Sequence, residues 1–125
     1  MSEIKDGFGR LWSREDVLAG VGRGWRMLVG RLIDDLFSMG WDGQLIQIKE
    51  KFGGLRFYVS AATEEISKRI EQAAEESEHT CETCGEEGKI SSWDGFWMLT
   101  LCPEHGEGRR NWIIQERIRL SSTDE

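Results

Sequence analysis

The chain has 125 residues and a formal net charge of −7, enough length for one domain or for two small ones that share a core. Three cysteines, an odd number, exclude a framework of disulfides closed within the chain, and no apolar run approaches the ~20 residues that span a bilayer. The start MSEIKDGFG has no basic stretch followed by an apolar one, so no secretory signal is read, and the expected setting is a reducing cytoplasm with no membrane partner.

The predicted elements begin at Ser13, suited to cap a short helix with Asp16 three residues on and Val17 and Leu18 facing inward, ending in the Gly20–Gly24 region. From Trp25, the residues Leu28, Val29, Leu32, Ile33, Leu36 and Phe37 recur at helical spacing, an apolar stripe that Gly40 stops. The period then changes to two. Ile46 and Ile48 alternate with Gln47 and Lys49, and Leu55, Phe57 and Val59 with Arg56 and Tyr58. These are two strands of a hairpin through Lys51-Phe52-Gly53-Gly54, with Phe52 expected to fold back onto it. Thr63 caps a second helix with Ile66, Ile70, Ala73, Ala74 and Ser77 on one side and Glu64, Glu65, Lys68, Glu71, Glu75 and Glu78 on the other.

Beyond this helix, Cys81, Cys84, Cys102 and His105 read as C-x2-C-x17-C-x2-H. Each x2 pair puts two ligands on one tight turn, and the longer gap lets a hairpin return the chain to the same ion, so the pattern predicts one structural zinc. Strands are expected around 89–92 and 96–101, joined at Asp94-Gly95, and Pro103 opens a last helix that carries Trp112, Ile113 and Arg117. Knuckle, hairpin and ligand-bearing helix is the order of a treble clef; a zinc ribbon is the alternative if Gly106 and Gly108 keep the helix from starting at the ligands. The reading is an α+β chain: residues 1–80 a helix, hairpin and helix core, 81–120 a zinc-binding module packed on it, and 121–125 a disordered tail.

The segments Gln47-Ile48-Lys49-Glu50-Lys51-Phe52-Gly53-Gly54-Leu55-Arg56-Phe57-Tyr58, Thr80-Cys81-Glu82-Thr83-Cys84-Gly85 and Thr100-Leu101-Cys102-Pro103-Glu104-His105 carry a resemblance. From about Trp25 to His105 the chain resembles a family of small uncharacterised proteins of tailed phages, prophages and bacterial genomes. That family shares an IKEKFGGLRFY-like hairpin, a CExCG knuckle and a TLCxxH knuckle. The resemblance implies the same four zinc ligands and a phage or mobile-element origin, which would place the protein in the host cytoplasm; it implies no established activity.

Four Cys/His ligands close the zinc tetrahedron, whereas a catalytic zinc keeps one position open. His79, Glu82, Glu104 and Glu107 lie near the ligands in sequence, but the H-x-E and P-C-x-x-C order of zinc deaminases is missing, and the hairpin from Gly88 to Leu101 has no histidine for a nuclease. No enzyme is therefore expected.

Charge bears on partners. Residues 1–60 hold nine Lys/Arg against eight Asp/Glu, and residues 61–125 hold seven against fifteen. The small basic groups at Lys49, Lys51 and Arg56 and at Arg109, Arg110, Arg117 and Arg119 do not make a phosphate-tracking surface, so duplex DNA is not an expected ligand. Six tryptophans in this length, with Trp12, Trp41, Trp93 and Trp97 near turns, point to a protein-binding module. The expected contact combines Glu71, Glu75 and Glu78, which steer a basic partner, with Trp93 and Trp97 as anchors. Joined to the resemblance, this suggests an inhibitor of a host protein such as a defence nuclease complex. A nucleic-acid-binding regulator using the zinc module and Arg109/Arg110 is the alternative.

Overall fold

The computed structural model describes residues 3–122. Its elements are β1 (Ile4–Lys5), β2 (Leu11–Trp12), α1 (Arg14–Leu18), a 3₁₀ turn (Arg23–Trp25), α2 (Arg26–Ser38), β3 (Leu45–Lys51), β4 (Gly54–Val59), α3 (Glu64–Ser77), β5 (Lys89–Ser91), β6 (Leu99–Leu101) and α4 (Pro103–Ser122). The class is α+β, with three separate two-stranded antiparallel sheets, β1-β2, β3-β4 and β5-β6.

The core forms where the helical stripe predicts it. Leu28, Val29, Leu32, Ile33 and Leu36 of α2 are buried with Trp25, Leu45, Leu55, Phe57, Ile66 and Ala73, so α2, the β3-β4 hairpin and α3 pack around one apolar centre. Ser13 caps α1 by accepting from the Asp16 N–H, and Thr63 caps α3 by accepting from the Ile66 N–H. Small Ala73 and buried Ser77 let α3 sit close to β4, where the Ser77 hydroxyl accepts the Leu55 N–H at 2.9 Å. Ion pairs Arg69–Asp35 and Arg31–Glu76, each 2.8 Å, tie α3 to α2.

Four details depart from the sequence reading. A register shift between Leu45 and Gln47 makes Leu45 the buried residue and leaves Ile46 exposed, because the extra residue of a bulge breaks the two-residue period. Phe52 does not fold back: it takes φ +54° and Gly53 φ +82°, two successive positive values that turn the hairpin tightly, and its ring stands exposed with the Lys51 ammonium 5.5 Å above it. Trp41, expected to be hard to bury at its turn, is enclosed between the Phe37 and Phe57 rings. The last helix takes in Ser121 and Ser122, where a disordered tail was expected; residues 123–125 of that tail lie outside the described residues. The β1-β2 pair, which no periodicity announced, is fixed to the core by buried Ile4 and by the Lys5 N–H donating to the Gly43 carbonyl.

Candidate metal centre

The first ligand pair hangs on the end of α3. Immediately after it, Cys81 and Cys84 lie on a turn closed by the Gly85 N–H donating to the Cys81 carbonyl at 2.8 Å, and Gly85 takes φ +84°, a conformation that favours glycine. The second pair is set by the start of α4. Cys102 precedes Pro103, and the His105 N–H donates to the Cys102 Sγ at 3.4 Å. Gly106 and Gly108 lie within the helix, so it begins at the ligands and the order is that of a treble clef rather than a ribbon.

The three Sγ atoms and the His105 ring nitrogen all lie within 4.8 Å of one another. Cys84 Sγ is 3.8 Å from Cys102 Sγ, and His105 Nδ1 is 3.2 Å from Cys102 Sγ and 3.7 Å from Cys81 Sγ. Metal–sulfur bonds of about 2.3 Å at tetrahedral angles would put sulfurs about 3.8 Å apart, so these residues fit a single four-coordinate ion. Cys81 and Cys102 are buried and Cys84 is exposed. His79, two residues before the knuckle, is exposed and outside the cluster.

Electrostatics separate the thiols. Burial resists ionisation of Cys81, but hydrogen bonds from the Cys102, Cys84 and Thr83 backbone outweigh it and bring the thiol down to about 7. For Cys84, a backbone hydrogen bond at Glu86 favours the thiolate, yet burial and the neighbouring sulfurs of Cys81 and Cys102 push it up to about 11. A cluster of thiols cannot hold several negative charges together unless a cation balances them.

Contacts missing from the sequence reading join the site to the rest. Trp25 donates its indole N–H to the Thr80 carbonyl at 2.8 Å, and the Gly24 N–H donates to the Glu82 carbonyl at 2.9 Å. The backbones here are so close that a Cβ on Gly24 would lie 2.0 Å from the Cys81 carbonyl oxygen, and one on Gly22 would lie 2.3 Å from that of Glu82. On the other side the buried Thr100 donates its hydroxyl to the Gly53 carbonyl at 2.6 Å, and its N–H to Glu82 Oε2 at 3.0 Å. Burial raises the pKa of the Glu82 carboxyl, with the Thr100 N–H working against it. Glycines spaced by one residue ahead of a tryptophan were the available signal, but only the fold tells which backbone they admit.

Asp94 was singled out only as a turn residue and proves to organise the hairpin tip. Its buried carboxylate accepts the Trp97 and Phe96 N–H groups, both at 2.8 Å, and Arg109 Nε at 3.0 Å, contacts that hold its pKa below the usual range. This pins the loop to α4 and leaves Phe96 and Trp97 facing outward at 67% and 65% exposure.

No family model, curated protein or solved structure matches the chain.

The expected contact residues separate into two kinds. Trp97, Glu71 and Glu75 are exposed. Trp93 is half-buried, its ring lying where a side chain on Gly106 would be, within 2.3 Å of that Cβ position, and its indole N–H donates to the Lys89 carbonyl. It is a strut between the hairpin and α4. Glu78 is half-buried beside Gly54 of the β3-β4 hairpin. Past its first turns α4 is mostly exposed, with Ile113 and Glu116 half-buried, and Trp112, Ile114, Ile118 and Leu120 face solvent. A groove of about 770 Å³ runs beside the site between Glu82, Leu99, His105, Arg109 and Trp112.

Proposed function

We propose that the chain is a non-catalytic protein-binding module whose C-terminal half is organised by one structural zinc held by Cys81, Cys84, Cys102 and His105. Three thiolates and an imidazole are a donor set suited to zinc, and four protein ligands fill its tetrahedron, so the ion supports shape rather than a reaction. The single observation that carries the binding role is the apolar surface of the module: Phe96, Trp97, Trp112, Ile114 and Ile118 stand exposed on one hairpin tip and one helix. Large apolar side chains left exposed in this number on one module point to an interaction region, and tryptophan is enriched among residues that dominate binding energy. The resemblance to phage and prophage proteins, together with the exposed Glu71 and Glu75, supports a host protein with a basic surface, such as a defence nuclease complex in the host cytoplasm, as the target.

The test is capture from a bacterial host lysate with the zinc-loaded chain, set beside a Trp97→Asp/Ile118→Asp variant of equal zinc content. A partner retained by the parent and lost by the variant is the expected result. Identical retention by both would remove the apolar surface from the proposal.

One observation favours a second reading. Arginine guanidinium groups lie over three aromatic rings around α4: Arg109 over Trp112 at 5.2 Å, Arg110 over Trp93 at 5.8 Å and Arg117 over Phe96 at 5.0 Å. Cations interleaved with aromatic faces also suit single-stranded nucleic acid. Sub-micromolar, salt-sensitive binding of a single-stranded oligonucleotide would put the regulator reading first.

A further inference from the structure

The three cysteine residues differ in exposure. Cys81 and Cys102 are buried, whereas Cys84 is exposed and lines a cavity of about 370 Å³ with Arg23, Arg31, Thr80 and Glu86. In a loaded site every ligand thiol is deprotonated, so access selects which sulfur a small oxidant reaches first. The cavity walls bring two guanidinium groups to that side, one of them, Arg31, also paired with Glu76. Behind Cys84, the Cys102 Sγ lies 3.8 Å away, within the reach of a thiol that resolves an oxidised neighbour.

We propose that Cys84 is a modification site for hydrogen peroxide and that Cys102 resolves it, so that oxidation closes a Cys84–Cys102 disulfide and frees the ion. The assignment rests on the metal-centre reading above. The Cys84 sulfur attacks one peroxide oxygen, the O–O bond breaks and hydroxide leaves, giving the sulfenic acid of Cys84. The Cys102 sulfur then attacks the Cys84 sulfur, the S–S bond forms, the S–O bond breaks and a second hydroxide leaves. Two thiolates lose two electrons and one peroxide gains them. With two of four ligands consumed, the ion has no closed site.

The consequence reaches beyond the ion, because the Cys81–Gly85 turn is also the surface against which Gly22 and Gly24 pack and α4 is positioned by Cys102 and His105. Oxidation would therefore disorganise the surface that carries Trp97 and Ile118.

The experiment titrates the zinc-loaded full chain with hydrogen peroxide, follows released zinc with a chromogenic chelator, and maps the cysteines by alkylation and mass spectrometry. About one ion should appear per peroxide consumed, with a peptide linking Cys84 to Cys102, alkylated Cys81, and recovery on adding dithiothreitol and zinc. Arg23→Glu, at an exposed position on the cavity wall that is not itself a ligand, should slow release several-fold at unchanged zinc content. Oxidation of Cys81 ahead of Cys84, a Cys81–Cys84 bridge, or retention of the ion under peroxide that fully oxidises free glutathione would each overturn the assignment. A chain purified without chelator that carries no ion would instead overturn the metal reading beneath it.

Discussion

The two halves of this molecule are held by different means. Residues 4–73 bury a continuous set of large apolar side chains, from Ile4 through Trp25, Leu32 and Leu36 to Ile66 and Ala73. The C-terminal part buries Cys81, Leu101 and Cys102, with Trp93 and Leu99 packed partly against them. The first can be stable on hydrophobic burial alone. The second has too little apolar interior for its length, and two of the three residues of that apolar cluster belong to the Cys3His group, so its order is expected to depend on a bound ion. The contrast teaches where apolar surface goes when a core is not being built: α4 and the hairpin tip leave theirs facing outward.

Removing the ion should break this comparison most visibly. Zinc binding by small structural sites is worth about 10–16 kcal/mol, most of it folding energy. Chelation, or Cys84→Ser, should release hydrogen-exchange protection from about residue 81 to 120 while the amides of α2 and β3-β4 stay protected. Equal loss in both halves would show a single cooperative unit.

Next in size is a cavity in the first half. Leu32→Ala removes a fully buried side chain and should cost about 3 kcal/mol, lowering the melting temperature yet leaving one zinc per chain. Loss of metal from this variant at folding temperatures would mean the module borrows its stability from the core.

Acidification should act on the metal half alone near neutrality. Before an ion binds, Cys84, pushed up to about 11, holds a proton throughout the neutral range, and Cys81, near 7, gains one as pH falls through that value. Binding therefore expels at least one proton above pH 7 and at least two below it. Zinc affinity should fall at least about tenfold per pH unit above 7 and at least about a hundredfold per unit below. A competitive chelator titration between pH 6 and 8 measures the slope; a flat profile would contradict these thiol assignments.

Smaller still is Gly24→Ala, placed at the joint between the halves. Its Cβ would press on the Cys81 carbonyl oxygen at 2.0 Å, and since that atom belongs to the backbone the turn itself must shift. A cost of about 2 kcal/mol and a weaker zinc affinity are expected together, read by thermal melting and metal competition. Thr63→Ala, which deletes only the α3 cap, should cost about 1 kcal/mol and leave zinc affinity unchanged.

What the sequence discloses follows from how local each cause is. The Cys81, Cys84, Cys102 and His105 cluster was legible because two x2 spacings are a purely local geometry, and the α2 stripe because helical burial repeats along the chain itself. The same holds for the Ser13 and Thr63 caps, where the acceptor and its N–H lie three residues apart. Ile46 was misread because a bulge depends on the partner strand, and Phe52 because a glycine-bearing turn fixes backbone direction without saying what the preceding ring will touch. The role of Gly22 and Gly24 could not be read at all: the backbone they admit lies about sixty residues away. Likewise the two tryptophans paired as anchors part company, since Trp93 finds Gly106 to pack on and Trp97 is held outward by Asp94.

Helix α4 starts at the candidate metal site. His105 sits in its first turn, and the whole 20-residue helix reaches about 30 Å at 1.5 Å per residue. A beam clamped so close to its root converts angle into distance: a tilt of about 5° at the ligands moves the far end by about 2.5 Å, close to half a helical turn. With an ion bound there, its bond lengths and angles would thus help decide where Ile118 and Leu120 arrive in space. Replacing that ion with a larger thiophilic one would re-aim the tip while leaving the composition of its surface untouched.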